Sequence, residues 1–262
     1  MNQRCLYCYQ TLREDQKDFH EECATLLFGC TTAPTHPFEA TLADQFYLSE
    51  SANDEGYIPE LQSVVMRMAQ GALILTQDNT LILNSDSKLQ HITKVDSSTE
   101  SIEQLIARLD GCSFDGTAEM IAELIEDFSS ISRLDVVSYF EQLIFAWVTG
   151  CNSISPRSFG LTRPNAGVCS LAAISNFTPT LSDAGMEFGV EVNGKRRNIR
   201  RSDFEAAMKF MGLKDRIIRI TIEKMTKSKE KWGEIIDSSH LDEKSKQEYF
   251  AQISAKLSIL ER

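Results

Sequence analysis

Two short pairs of soft-metal ligands open the chain. Cys5 and Cys8 are separated by two residues, as are His20 and Cys23, and 11 residues lie between the pairs. Thiolate and imidazole donors carried on two tight turns are how a tetrahedral zinc site is built, the ion tying one turn to the other. Four protein ligands leave no open coordination position, so the chemistry expected is structural rather than catalytic. Leu6, Tyr7, Leu12, Phe19, Leu26, Leu27 and Phe28 supply apolar cover beside the four, and Cys30 is a substitute for one ligand. The competing reading is a metal-free segment whose thiols pack as small hydrophobes.

The next signal is a gap: between Glu141 and Asp183 there is no Asp or Glu. Such a stretch cannot supply a carboxylate for a divalent cation or for general-base work. Beyond it lies the densest positive run, Lys195, Arg196 and Arg197 followed by Arg200 and Arg201. That run is either a solvated loop or a contact to an acidic partner or nucleic-acid phosphate. Cys151 sits between Gly150 and Asn152 with no His nearby in sequence, so it is expected to be a packed thiol and not a nucleophile. His36, His91 and His240 are isolated and carry no expectation of catalysis. Trp147 and Trp232 fall on apolar helical faces and are expected in the core.

The totals are those of a globular chain: 262 residues, 42% apolar and 25% charged. No apolar run approaches the roughly 20 residues of a membrane span, and the opening MNQRCLYCYQ has no apolar signal core. A cytoplasmic protein with reduced thiols is the expectation, and the odd count of 7 cysteines does not suit a disulfide framework. The net charge of −11 is unevenly spread. Residues 1–150 carry 8 Lys/Arg against 24 Asp/Glu, and residues 151–262 carry 19 against 14. The acidic half argues against wholesale nucleic-acid binding.

The elements that must position these residues follow from periodicity. Residues 31–58 are polar and turn-rich and read as a linker. Pro59 opens a helix over 59–70. Short strands are expected at 72–75, at 80–83 after a turn at Asp78-Asn79, and at 91–95. From residue 99 the spacing is helical: Ile102, Leu105, Ile106 and Leu109; then Met120, Ile121, Leu124, Ile125 and Phe128; then Val136, Val137, Phe140, Ile144, Phe145 and Val148. Loops and short strands fill 151–200. The Ser202…Glu205 spacing reads as a capping box for a helix over 203–211 that stops at Gly212. A long helix near 215–237 and a last one near 242–260 complete the chain.

The segments CLYC…DFHEEC…LFG, ITKVD at 92–96, GTAEMIAELIEDFSS, LDVVSYFEQLIFAWVTG and SDFEAAMKFMGL…IDSSHLDEKSKQEYF together resemble the kinase half of the HipA family. The resemblance covers most of 1–30 and 59–262. It implies an α+β, protein-kinase-like fold: a small Cys/His segment at 1–30, a linker at 31–58, a reduced N-lobe with a small sheet at 59–98, and a predominantly helical C-lobe at 99–262. It also implies a serine/threonine protein kinase using ATP and Mg²⁺, usually the toxin of a bacterial toxin–antitoxin pair.

Three departures bear on that activity. No glycine-rich phosphate loop precedes residue 59, and no Lys lies between Lys17 and Lys88. The family's catalytic loop, G-N-x-D-x-H-x-x-N-F, matches Gly150 to Phe159 here, so its base Asp falls on Ser153, its His on Ser155 and its Mg²⁺-binding Asn on Ser158. The later S-P-x-Y-D matches Ser170 to Ile174, with the second Mg²⁺-binding Asp falling on Ile174. Phosphoryl transfer needs carboxylates to hold Mg²⁺ and aim the attacking hydroxyl, so neither ATP nor Mg²⁺ is expected. The expected function is that of a catalytically inactive HipA-like pseudokinase acting by protein binding, a regulator or component related to a toxin–antitoxin system. Its partner would be a HipA-like kinase, an antitoxin, or a chain supplying the missing N-lobe part, and no membrane or direct nucleic-acid contact is expected. The alternatives are an active, divergent HipA-type kinase toxin and a zinc-dependent interaction module.

Overall fold

The computed structural model describes residues 3–29, 46–48, 58–83, 87–94, 96–109, 116–165, 167–181 and 186–262. Helix α1 (Glu21–Phe28) follows the Cys/His turns and ends on Gly29, whose φ of 70° only glycine adopts at no steric cost. Helix α2 (Pro59–Gly71) begins with its proline at a first-turn position. Leu61, Gln62, Ser63, Val64, Val65, Met66, Met68 and Ala69 are all buried, so α2 is enclosed on most of its surface rather than along one stripe. A three-stranded antiparallel sheet, ordered β1-β3-β2, packs on it. It is built from β1 (Phe46–Leu48), β2 (Asn79–Leu83) and β3 (Leu89–Lys94), with Thr80 opposite Ile92.

The second sheet, β4-β5-β6, joins β4 (Thr99–Ser101), β5 (Gly160–Asn165) and β6 (Val168–Leu171). Asp96 fastens its first joint. The carboxylate accepts hydrogen bonds from Ser98 N (2.9 Å), Ser98 Oγ (2.5 Å), Thr99 Oγ1 (2.8 Å) and Thr162 Oγ1 (3.1 Å). Helix α3 (Ile102–Arg108) starts with a capping box between Ser101 and Gln104, and α4 (Ala118–Phe128) starts with Thr117 accepting from Met120 N. Helix α5 (Ser132–Thr149) is buried from Tyr139 to Thr149 except at Glu141 and forms the axis of the body. Around it lie α6 (Arg201–Phe210), α7 (Asp215–Lys227), α8 (Lys229–Ser238) and α9 (Glu243–Leu260). Trp232 is fully buried, donates to Met68 O at 2.9 Å and meets Phe145 edge-on, while Tyr249 donates to Thr149 O at 2.9 Å. Aromatic side chains on α8 and α9 thus tie α2 and α5 into one core.

Several elements differ from the sequence expectation. Residues 46–48, inside the stretch expected as linker, form β1 on β3, and 31–45 and 49–57, with His36, lie outside the described residues, as does Cys30. Residues 72–75 are not a strand. Leu73 has φ of 56°, Leu73 and Leu75 are 82% and 74% exposed, and the only ladder contact here is a Thr76–Ile174 bridge. A short apolar run was present without a strand to pair with. The turn is not at Asp78-Asn79 either, because β2 already begins at Asn79. The single helix expected over 215–237 breaks at Ser228, whose hydroxyl bonds back to Lys224 O at 2.8 Å.

Helix α6 starts two residues before the expected Asp203. The box is made by Asp203, not by Ser202 with Glu205: its carboxylate accepts from Arg200 N (2.8 Å), Lys195 Nζ (2.7 Å) and Asn193 Nδ2 (3.1 Å). Burial alone would raise the Asp203 pKa, but these donors outweigh it and hold the carboxyl below the usual range. A carboxyl depressed in the native state contributes stability that is present above its unfolded pKa and lost as pH falls through the native value. Resistance of the wild type to urea is therefore expected to fall as pH drops below about 4. Asp203→Ala is expected to lose about 1–2 kcal/mol at neutral pH and to show a smaller acid slope. An unchanged slope would remove Asp203 from this role.

Candidate functional site

The loop to which the HipA resemblance assigns catalytic positions leaves α5 at Gly150, whose φ is 76°. Its course is set by backbone contacts. Thr180 N donates to Gly150 O at 3.2 Å, and Gly189 N donates to Asn152 O at 2.8 Å. Gly189 lies so close to Ile154 O and Asn152 O that no Cβ fits there. Ser153 is exposed. Ser155 and Ser158 close a 3₁₀ turn (Pro156–Ser158) on each other: Ser155 Oγ accepts from Arg157 N at 3.3 Å, and Ser158 Oγ accepts from Ser155 N at 3.1 Å. These two hydroxyls stabilise a turn. Ile174 is 2% exposed and clamped on both sides, its N–H donating to Leu75 O (2.9 Å) and its carbonyl accepting from Gln77 N (2.8 Å).

Ile174 belongs to a strip, 172–177, gripped from several elements. Gln142 of α5 donates to Ala172 O at 3.1 Å, Thr93 of β3 donates to Ser175 O at 3.1 Å, and Gln62 of α2 donates to Asn176 Oδ1. Phe177 lies between Phe145 and Phe159, at ring-centre distances of 6.5 and 6.0 Å. The structure sets the 150–159 loop and the 172–177 strip side by side. It brings no cation-holding set to them: among the described residues the only group of three or more His, Cys, Asp or Glu ligand atoms close together is the N-terminal one. Asp96 reaches toward this region through Gln77 (3.4 Å), but its oxygens are engaged in the β4–β5 joint. Gln62 and Asn176 were not singled out from sequence. An amide where α2's apolar spacing calls for a core residue was their signal.

Cys151 is fully buried, and burial pushes its thiol up to about 12, so it is an inert packing group. Burial holds His91 neutral, its pKa lowered to about 3, with Nε2 3.3 Å from Asn79 Oδ1.

The N-terminal cluster does assemble. Ligand atoms of Cys5, Cys8, His20 and Cys23 all lie within 4.8 Å of one another. His20 Nδ1 stands 3.3 Å from Cys8 Sγ and 3.9 Å from Cys23 Sγ. Around a tetrahedral ion with metal–sulfur about 2.3 Å and metal–nitrogen about 2.0 Å, neighbouring S and N donors stand about 3.5 Å apart, between those two distances. His20 Nε2 faces Thr11 O at 3.2 Å, a contact that leaves Nδ1 as the ligand atom. Burial works against a Cys5 thiolate, but backbone hydrogen bonds from Cys8, His20 and Tyr7 outweigh it and lower its pKa. Burial and the neighbouring Cys5 and Cys8 thiolates push Cys23 far up, a crowding of negative charge that a bound cation relieves. The cluster can hold a metal ion. It docks on the body: Arg4 donates to Ser238 O (2.9 Å), His240 to Cys5 O (3.2 Å) and Tyr9 OH to Ser63 Oγ (2.6 Å), and the Arg67 guanidinium lies 4.7 Å from the Tyr7 ring centre.

The basic run is largely neutralised from within. Lys195 pairs with Asp203 (2.7 Å), Arg196 with Glu191 (3.7 Å), Arg197 with Glu187 (3.0 Å) and Arg201 with Glu205 (2.7 Å). Among the described residues Arg200 makes no ion pair, and it is exposed. No helix of the described residues is long and apolar enough to cross a membrane.

No family model and no curated protein matches the sequence. Solved structures match the fold. HipA of Shewanella oneidensis MR-1, solved as a toxin–antitoxin complex with HipB and operator DNA, is similar over 83% of this chain with TM-score 0.60 and 10% identity. The chain spans 58% of that protein's length. The Helicobacter pylori proinflammatory kinase CtkA is similar over 82% of this chain and 85% of its own, with TM-score 0.61 and 13% identity. A small sheet packed on α2, a helical body around α5 and a loop–strip pair between them are thus the parts of a HipA-like kinase fold, and that is the fold of this chain.

Proposed function

We propose that this protein is a catalytically inactive member of the HipA-like kinase fold that acts by binding another protein. The observation that carries this reading is the state of the motif positions. Ser155 and Ser158 are hydrogen-bonded into their own turn, and Ile174 is an apolar core residue whose backbone is clamped to residues 75–77. A divalent cation needs several hard oxygen ligands, and phosphoryl transfer is almost wholly positioning and charge stabilisation around that cation. With the carboxylates replaced, binding is the use left to an intact frame. The solved HipA stands with a protein partner, HipB, and a regulator or component of such a toxin–antitoxin system is the role we favour here. Lys195, Arg196, Arg197, Arg200 and Arg201 are the candidate contact residues. We assign zinc to the Cys5, Cys8, His20 and Cys23 cluster, in a structural role that fixes the N-terminal segment on α2 and on the turn after α8. The same cluster supports a second reading, a zinc-dependent interaction module carried on the kinase-like body.

Three measurements test these assignments. Thermal unfolding with Mg²⁺ and ATP at about a hundred times a micromolar-range Kd would gain about 2.7 kcal/mol if the nucleotide bound the native state. The expected result is no shift and no calorimetric heat, and micromolar ATP binding overturns the reading. Ile174→Asp, which restores the family's carboxylate, is expected to cost about 3–5 kcal/mol as an uncompensated buried charge. Wild-type stability with new Mg²⁺ binding would show instead that the position is a vacant metal site. Metal analysis of the purified chain is expected to find stoichiometric zinc, lost in Cys23→Ser together with a lower unfolding midpoint. A metal-free chain, or a variant of unchanged stability, contradicts the zinc assignment.

A further inference from the structure

Two adjoining depressions form one groove where the basic run passes into α6. The inner one, of about 380 Å³, has Trp147, Phe188 and Ile199 as apolar walls and Arg196, Arg197 and Lys256 at its rim. The outer one, of about 1010 Å³, is lined by Arg200, Arg201 and Ser202. Asn198, Ile199 and Ile259 belong to both, so the two are continuous.

Asn152 lines the inner part. It is 5% exposed, and its Nδ2 has no hydrogen-bond partner. A buried donor left unsatisfied costs about 1–3 kcal/mol. The loop holds it there regardless, with Asn152 O bonded to Gly189 N at 2.8 Å and no room at Gly189 for a side chain. Trp147 is 3% exposed, and Lys256 Nζ stands 4.5 Å from its ring centre. Arg200 makes no ion pair among the described residues. The Arg197–Glu187 pair is largely exposed on both sides, and such pairs are worth about 1 kcal/mol or less, so a competing carboxylate displaces Glu187 at little cost. The exposed cations Arg197 and Arg200, the Lys256 rim and an apolar floor thus line one space, with the buried, unpartnered Asn152 amide in its wall.

We propose that this groove binds an acidic, extended peptide segment of a partner protein. An apolar side chain of the segment rests on Trp147 and Phe188, its carboxylates meet Arg197, Arg200 and Lys256, and a carbonyl accepts from Asn152 Nδ2. The proposal rests on the reading that the chain acts by protein binding, and it names the partner's chemistry and its seat. Nucleic acid fits less well. A short depression with an apolar floor and a cationic rim suits alternating apolar and acidic side chains better than a uniformly charged, apolar-poor polyphosphate backbone.

The test uses the full chain and a fluorescein-labelled peptide of alternating Glu and Leu, with an unlabelled single-stranded oligonucleotide as competitor. Saturable anisotropy that weakens with added salt is expected, together with a shift of the Asn152 side-chain amide resonance in the NMR spectrum. Arg200→Glu, at an exposed and unpaired position, should weaken binding at least about tenfold, equivalent to about 1.4 kcal/mol. Asn152→Ala should weaken binding while leaving the unfolding midpoint unchanged or higher, because it deletes an unsatisfied donor. A merely structural Asn152 would instead lower the midpoint and leave affinity unchanged. The proposal is overturned by absence of saturable peptide binding, by equal affinity in Arg200→Glu, or by displacement of the peptide by the oligonucleotide. These outcomes are separable from the ATP measurement: nucleotide binding would sink the inactive-kinase reading and leave the groove result intact.

Discussion

The hydrogen-bonded clamp on the strip 172–177 is the contact on which the remaining structure depends. Ile174 bonds through both its N–H and its C=O to residues 75–77, Thr93 bonds to the next carbonyl, and Gln62 reaches Asn176. This strip is where the small sheet and α2 meet the helical body. Backbone groups buried at such a junction must find partners, and at 174 both bonds are main-chain bonds that any residue but proline permits. The side chain present there is apolar, and it faces a core that includes Phe177, Phe145 and Phe159. The junction therefore stands on backbone bonds while its side chain at 174 is an apolar core group. Frame and activity are separable because one resides in the backbone and the other in a few side chains.

The Cys/His segment relates to the body in a similar way. Its four ligand atoms face one another, and its outer atoms face the body through Arg4, Tyr9 and His240 contacts. Tyr9 is 2% exposed and its hydroxyl is spent on Ser63 of α2. A short segment with so little core of its own needs a cross-link to hold a single shape. The cluster and its docking contacts supply one, and they do so against the same helix that donates Gln62 to the central strip. Helix α2 is therefore held from both sides, by the N-terminal turns and by 172–177.

On the other face of the body, charge is arranged so that most of the basic run is already neutralised. Lys195 and Arg201 are engaged with Asp203 and Glu205 of α6 and serve to start that helix. Less engaged are Arg200, which makes no ion pair among the described residues, and Arg197, whose pair with Glu187 is largely exposed. Their position beside the Asn152 loop, not their number, distinguishes them from an ordinary solvated loop.

Much of this was readable from residue types. The 3.6-residue spacing of apolar positions marked α3, α4 and α5, Pro59 marked the start of α2, and the pairs Cys5/Cys8 and His20/Cys23 marked the cluster, because period and ligand spacing are local properties of a chain. The lack of carboxylates from 142 to 182 was likewise plain, since composition does not depend on folding. Other features were decided by partners far away in sequence. Residues 72–75 are an apolar run like a short strand yet form no ladder, because the strip at 174 meets only Leu75 O, Thr76 and Gln77. Helix α6 is capped by Asp203 because Lys195 and Asn193 arrive to share its carboxylate. The unpartnered amide of Asn152 and the groove above it exist only because Gly189 closes over the loop. The residues by themselves determined which helices form, which ligands cluster and which stretch carries no carboxylate. Tertiary structure alone decided which polar groups are satisfied, because a hydrogen-bond or ion partner is a matter of distance in space, which spacing along the chain does not encode.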